Sequence, residues 1–130
     1  MAQRTDALAG LRILIVEDEV LIGMMLESML EDLGCQVIGL ASGLNEAIAA
    51  VKHHSLDGVL LDMNMAGEDT HVVAEELAAR AVPFLLVTGY DGMDTDPPAI
   101  RNAPRLRKPF SQDELAQWMV EVFGPSTKKG

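Results

Sequence analysis

The chain has a single cysteine, Cys35, half as many basic residues as acidic ones, and no apolar run that approaches a membrane span. One cysteine excludes an internal disulfide and fits a reducing compartment, where such a residue most often serves as a small buried hydrophobe. Ten Lys and Arg against 20 Asp and Glu leave a net charge of −10. That balance disfavours binding to DNA or RNA, whose phosphates select for cations. A transmembrane helix needs about 20 consecutive apolar residues, and none exist here. The opening "MAQRTDALAG" also lacks the apolar stretch and cleavage site of a signal peptide. The expectation is a cytoplasmic protein without nucleic-acid or membrane partners.

What is present argues for one folded unit. Apolar residues make up 48% of 130 positions, too many for a disordered chain. A chain of this size buries roughly 65–70% of its unfolded surface. Five short apolar runs, at 13–16, 37–40, 58–61, 84–87 and a weaker 105–107, alternate with helical patterns. The first, third and fourth are apolar throughout, as in strands covered on both faces. Between the first two, Ile22, Leu26, Met29, Leu30 and Leu33 share one helical face, and Gly34 is a stop signal. A second helix carries Leu44, Ala47, Ile48 and Val51 on one side, with Ser42 as its expected N-cap. A third covers about 70–80. The last opens with Ser111 and Glu114 at capping-box spacing and is expected to bury Leu115, Trp118, Met119 and Val122 before ending at Gly124-Pro125. Pro97-Pro98 forbid a long fourth helix, so residues 91–102 are expected to be mobile, with at most a short helix. The alternation predicts a three-layer α/β domain with a five-stranded parallel sheet over residues 11–123. Residues 1–10 and 124–130 are expected to be flexible termini.

In an open parallel sheet, ligands collect beyond the carboxyl ends of the strands. Glu17 and Asp18 follow the first strand, Asp62 the third, Thr88 the fourth and Lys108 the fifth. Each alone has a bland explanation as a cap, turn or surface residue. Their coincidence at one rim does not. Clustered carboxylates without nearby His or Cys suit Mg²⁺, with Mn²⁺ as an alternative, and Mg²⁺ usually shares its site with a phosphoryl group. His53-His54 reads as a helix-end pair serving the dipole.

"VEDE", "LLDMN", "VTGYD" and "KPF" together resemble, in order and spacing, the receiver domain of two-component response regulators. The resemblance implies a flavodoxin-like (βα)5 fold with strand order 2-1-3-4-5. It implies Asp62 as phosphoacceptor, and Asp18, Asp62, the Asn64 backbone carbonyl and a water-mediated Glu17 as Mg²⁺ ligands. Thr88 and Lys108 would contact the phosphoryl group, and the bond before Pro109 would be cis. The implied partners are a sensor histidine kinase or histidine phosphotransfer protein and an unknown downstream protein, with the chain a monomer or weak dimer. Nothing follows residue 124 that could serve as an output domain, so a stand-alone, non-enzymatic regulator is expected. Many receivers carry an aromatic three residues before the lysine. Here Arg105 stands there, which makes Tyr90 and Arg105 candidate switch or gating residues. The loop "MNMAGEDT" lacks a usual proline, and "VTGY" resembles a single-domain subgroup common in alphaproteobacteria, often paired with HWE-type kinases. Rival readings are a phosphorylation-independent scaffold, a haloacid-dehalogenase-type phosphatase, which would carry D-x-D after the first strand where adjacent Glu17-Asp18 stand here, and a flavin binder, whose phosphate-holding loop is missing.

Overall fold

A computed structural model describes residues 6–63, 70–89 and 98–124. A 3-10 turn (Asp6–Leu8) leads into β1 (Arg12–Val16), α1 (Val20–Asp32), β2 (Gln36–Ala41), α2 (Leu44–His53), β3 (Gly58–Asp62), α3 (His71–Ala79), β4 (Phe84–Thr88), α4 (Pro98–Arg101), β5 (Arg105–Arg107) and α5 (Gln112–Phe123). The strands form one parallel sheet in the order β2-β1-β3-β4-β5. The expected fold, a flavodoxin-like α/β sandwich, is therefore observed. Strand β3 is buried along its whole length, and β1 and β4 all but their first residue, as their uninterrupted apolar runs require.

Alternation along each strand divides the core in two. Ile13, Ile15, Leu60, Leu85, Val87 and Leu106 face α1 and α5. Leu14, Val16, Val59, Leu61 and Leu86 face α2, α3 and α4. Each fully buried aliphatic side chain contributes about 1.5–3 kcal/mol, so the sheet is fixed by both layers at once. Among the described residues, no helix is long and apolar enough to cross a membrane.

Local signals set the helix ends. Gly34 has φ 101°. Its N–H donates to the Glu31 carbonyl and the Cys35 N–H to the Leu30 carbonyl, a Schellman close that draws Cys35 into the core beside Leu30. The Cys35 thiol is buried, which pushes its pKa up to about 11. The same closure ends α3 with Ala81 at φ 59°, where Val82 N–H donates to Leu77 and Ala81 N–H to Ala78. At α5 the Ser111 hydroxyl accepts from Glu114 N–H, and the Glu114 carboxylate accepts from Ser111 N–H.

Three expectations change. Gly43, not Ser42, is the N-cap of α2, because the Ser42 hydroxyl and N–H both donate to the Glu46 carboxylate instead. The segment expected to fray, 1–10, is anchored at its end: Leu8 is fully buried against α5, and Gly10 N–H donates to Gly34. Trp118 and Val122 are only partly buried, whereas Phe123 enters the core. It can do so because Gly58 opposite has no side chain; a Cβ there would overlap the Phe123 ring. The expected short fourth helix is observed, a single turn from Pro98 to Arg101, while residues 91–97 lie outside the described residues.

Candidate functional site

The parallel sheet delivers the ends of β1, β3, β4 and β5 to one rim. Glu17 and Asp18 follow β1, with Glu17 N–H donating to the Ala41 carbonyl on β2. Asp62 closes β3 and Thr88 closes β4. Lys108 follows β5, its N–H donating to the Thr88 carbonyl at 2.8 Å, and the Lys108–Pro109 peptide is cis.

These side chains converge. One carboxylate oxygen from each of Glu17, Asp18 and Asp62 lies within 4.8 Å of the others. The Lys108 ammonium stands 3.4 Å from Asp62 Oδ1. Glu17, Asp62 and Thr88 are 4%, 2% and 0% exposed, so solvent screens them poorly. Two unit charges 4.8 Å apart repel by roughly 3 kcal/mol at an effective dielectric constant of 20, and one ammonium cannot balance three carboxylates. The strain is visible at Glu17. Burial, followed by the charge and hydrogen-bonding demand of Asp62, pushes its pKa up to about 7, against the lowering pull of the Glu19 N–H and Lys108. Glu17 Oε2 accepts from Glu19 N–H, but Oε1 is buried with no hydrogen-bond partner.

A buried carboxylate oxygen without a donor, beside two further carboxylates, fits a hard dication held by oxygen ligands. The all-oxygen set argues against zinc. Among the described residues this is the one cluster of potential metal ligands. His53 and His54 are exposed at the far end of α2, apart from it.

Of the residues singled out in the sequence, Glu17, Asp18, Asp62 and Lys108 are brought into one cluster, with Thr88 at the adjoining strand end. Asn64 and Tyr90 lie outside the described residues. Arg105 points away from the cluster, its Nη2 donating to the Ile100 carbonyl of α4 at 2.8 Å.

Beside the rim lies the first helix, expected from the sequence to serve in docking together with the rim loops. Val20, Leu21, Met24 and Met25 of α1 are 67%, 80%, 52% and 46% exposed. A cavity of about 260 Å³ lies between α1 and the segment after β5, lined by Ile22, Met25, Leu26, Lys108, Pro109 and Phe110 among others. The signal was available in "VLIGMM", six residues without a polar one. A helix cannot turn all of them toward one core.

Residues 13–119 match the response regulator receiver domain model. The transcriptional regulatory protein PdtaR of Mycobacterium tuberculosis is 34% identical over 114 residues, covering 85% of this chain and 55% of its own length. The chain thus spans about half the length of that relative. The solution structure of SdrG from Sphingomonas melonis Fr1 is 42% identical with a TM-score of 0.70, covering 87% of this chain and 94% of SdrG. The receiver domain of the sensor histidine kinase PA1611 from Pseudomonas aeruginosa PAO1, with a magnesium ion coordinated in its active site cleft, is 26% identical with a TM-score of 0.77, covering 90% of this chain and 100% of that one. The shared order of the sheet, the acids at its rim and the match across most of the chain lead to one conclusion: this chain belongs to the response regulator receiver domain family.

Proposed function

We propose that Asp62 accepts a phosphoryl group from a phosphohistidine on a sensor kinase or histidine phosphotransfer protein, in a Mg²⁺-dependent reaction, and that the acyl phosphate changes which protein the domain binds. The observation that carries the reading is Asp62 itself. A carboxylate only 2% exposed is paired with a lysine and crowded by two further acids, which is poor design for stability and good design for charge transfer.

In this reading Asp62 is the nucleophile. One of its oxygens bonds to phosphorus as the bond from phosphorus to the donor imidazole nitrogen breaks, and the electron pair leaves with the imidazole. The donor supplies the driving force, so the site need only position and neutralise. Lys108 holds the Asp62 carboxylate and would stay with the transferred group as its charge grows. The Thr88 hydroxyl would donate to a phosphoryl oxygen, drawing in the end of β4. Glu17, Asp18, Asp62 and the Asn64 carbonyl would hold Mg²⁺ or Mn²⁺, which supplies the positive charge that lets a carboxylate approach an anionic phosphoryl group. Receiver domains bind Mg²⁺ at an acidic site, and the Mg²⁺-bound PA1611 receiver supports that assignment. Receivers are in general signalling proteins rather than catalytic enzymes, consistent with a site that modifies itself. The exposed apolar face of α1 and its adjoining cavity suit docking of the donor, because they border Lys108.

Incubation with acetyl phosphate and Mg²⁺, read by intact mass, tests this. One phosphoryl group should be gained, be released by mild base, and be absent from Asp62→Asn and from protein kept in EDTA. A chain that gains none behaves as a phosphorylation-independent scaffold, and label retained in Asp62→Asn would move the acceptor elsewhere.

A further inference from the structure

We propose that Met63 is a modification site: hydrogen peroxide oxidises its thioether to a sulfoxide, the buried Thr70 hydroxyl holds the new oxygen, and phosphoryl acceptance at the neighbouring Asp62 slows. The last part rests on the phosphoacceptor reading of Asp62; the oxidation itself does not. Met63 directly follows Asp62 at the end of β3, and its N–H donates to the Val87 carbonyl of β4 at 3.0 Å. Its side chain is half-buried against the core layer that faces α2, α3 and α4. It is neither sealed in, as Met119 is, nor out on the surface like Met24 and Met25. Part of it therefore stays open to a molecule as small as peroxide.

Thr70 supplies the second observation. It is the N-cap of α3, a place where a threonine hydroxyl ordinarily accepts from a helix N–H. This hydroxyl makes no capping bond. The Thr70 carbonyl takes the Val73 and Ala74 N–H groups, and the hydroxyl, on a residue 3% exposed, donates to Met63 Sδ at 3.5 Å. A thioether is a weak acceptor, so a buried donor faces a poor partner and gains from a stronger one. A sulfoxide oxygen is stronger. With a roughly 2.8 Å O–H···O bond bent at that oxygen, sulfur and hydroxyl need stand only a few tenths of an ångström further apart than now. In the reaction, a sulfur lone pair bonds to one peroxide oxygen as the O–O bond breaks. That oxygen's proton passes to the departing hydroxide, leaving sulfoxide and water: sulfur is oxidised by two electrons and peroxide reduced. A flexible apolar side chain becomes a polar one tied to the start of α3. Its backbone is joined to Asp62, and a nucleophile misplaced by about 1 Å loses roughly 100-fold in rate.

Treatment of the full chain with hydrogen peroxide, followed by peptide mass spectrometry, amide NMR and phosphorylation by acetyl phosphate with Mg²⁺, tests this. Met63 should gain one oxygen while the buried Met119 gains none. The amides of Met63, Thr70 and Val73 should shift in the oxidised protein. Its phosphorylation should slow by about tenfold, as for a displacement smaller than 1 Å. Met63→Leu, an apolar swap of similar volume, should keep its rate through the same treatment although Met24 and Met25 still oxidise. A Met63 left unoxidised once Met24 and Met25 are converted overturns the proposal. So does an unmoved Thr70 amide in the oxidised protein, or a rate that falls equally in Met63→Leu. If Met63→Leu does not fold, a time course on the unaltered protein carries the comparison: the rate should fall with Met63 conversion, and a fall that tracks Met24 and Met25 instead overturns the proposal. Untreated protein that takes up no phosphate counts against the phosphoacceptor reading, while the Thr70 amide still tests the sulfoxide contact.

Discussion

Replacing Glu17 by Gln should stabilise the protein when no divalent cation is present, and only above a definable pH. Folding raises the Glu17 pKa from its ordinary 4.5 to about 7. As pH rises, the unfolded chain therefore releases this proton first, and folding stability falls between pH 4.5 and 7. The direction is opposite to that of a salt-bridged carboxylate. A shift of this size corresponds to about 1 kcal/mol lost at pH 5 and about 3 kcal/mol at pH 8. Glu17 is 4% exposed, so bulk water does little to reduce the figure. Gln has the same shape and no charge to release. At about 3–5 °C per kcal/mol for a domain of this length, Glu17→Gln in EDTA should melt roughly 10 °C above the unaltered protein at pH 8 and only a few degrees above it at pH 5. Saturating Mg²⁺ should close most of the gap at pH 8, since the cation needs the ionised carboxylate. Thermal unfolding by circular dichroism at both pH values, with EDTA and with Mg²⁺, gives four melting temperatures. Parallel behaviour of the two proteins across pH, or a lower melting temperature for Glu17→Gln at pH 8 in EDTA, would refute the account of a strained acidic rim.

Other substitutions probe the frame that holds the rim. Gly58→Ala sets a Cβ against the Phe123 ring and should cost about 1–3 kcal/mol in urea unfolding; adding Phe123→Leu should recover part of it, and fully additive losses would mean the overlap is not the cause. Ala81→Gly should raise stability by roughly 1 kcal/mol, because Ala81 sits at φ 59° where glycine has no steric penalty; no change or a loss in the same assay would contradict the backbone assignment. The Cys35 thiol, pushed up to about 11 from 9.0 by burial, stays protonated after the unfolded thiol ionises. Stability should thus fall by about 1.4 kcal/mol per pH unit between pH 9 and 11, and Cys35→Ala should lack that component of the slope in denaturant titrations across the range.

The central strands were legible because a strand buried on both faces needs no polar residue, and 13–16, 58–61 and 84–87 contain none. Gly34 and the Ser111–Glu114 pair were legible because helix ends obey local rules. Leu8 was not. It is one apolar residue with no periodic neighbours, and its burial is decided by α5, more than a hundred residues later. The contest between Ser42 and Gly43 turned on the reach of Glu46, a side-chain choice that spacing alone does not decide. Convergence of Glu17, Asp18, Asp62 and Lys108 could be read from strand ends because a parallel sheet brings those ends together. The lone oxygen of Glu17 could not, because it is defined by what several distant segments fail to offer it.

The reactive cluster hangs from strand tips whose bodies are sealed in the core, while the apolar patch beside it lies on the outward side of α1. Different residues write the two surfaces, and they answer to different pressures. If α1 is the docking face proposed above, change among Val20, Leu21, Met24 and Met25 would alter which donor the domain meets while leaving the rim residues as they are. Duplicate copies of such a gene could therefore drift apart in allegiance while sharing one chemistry, and the outer side of α1 is where that divergence would be recorded.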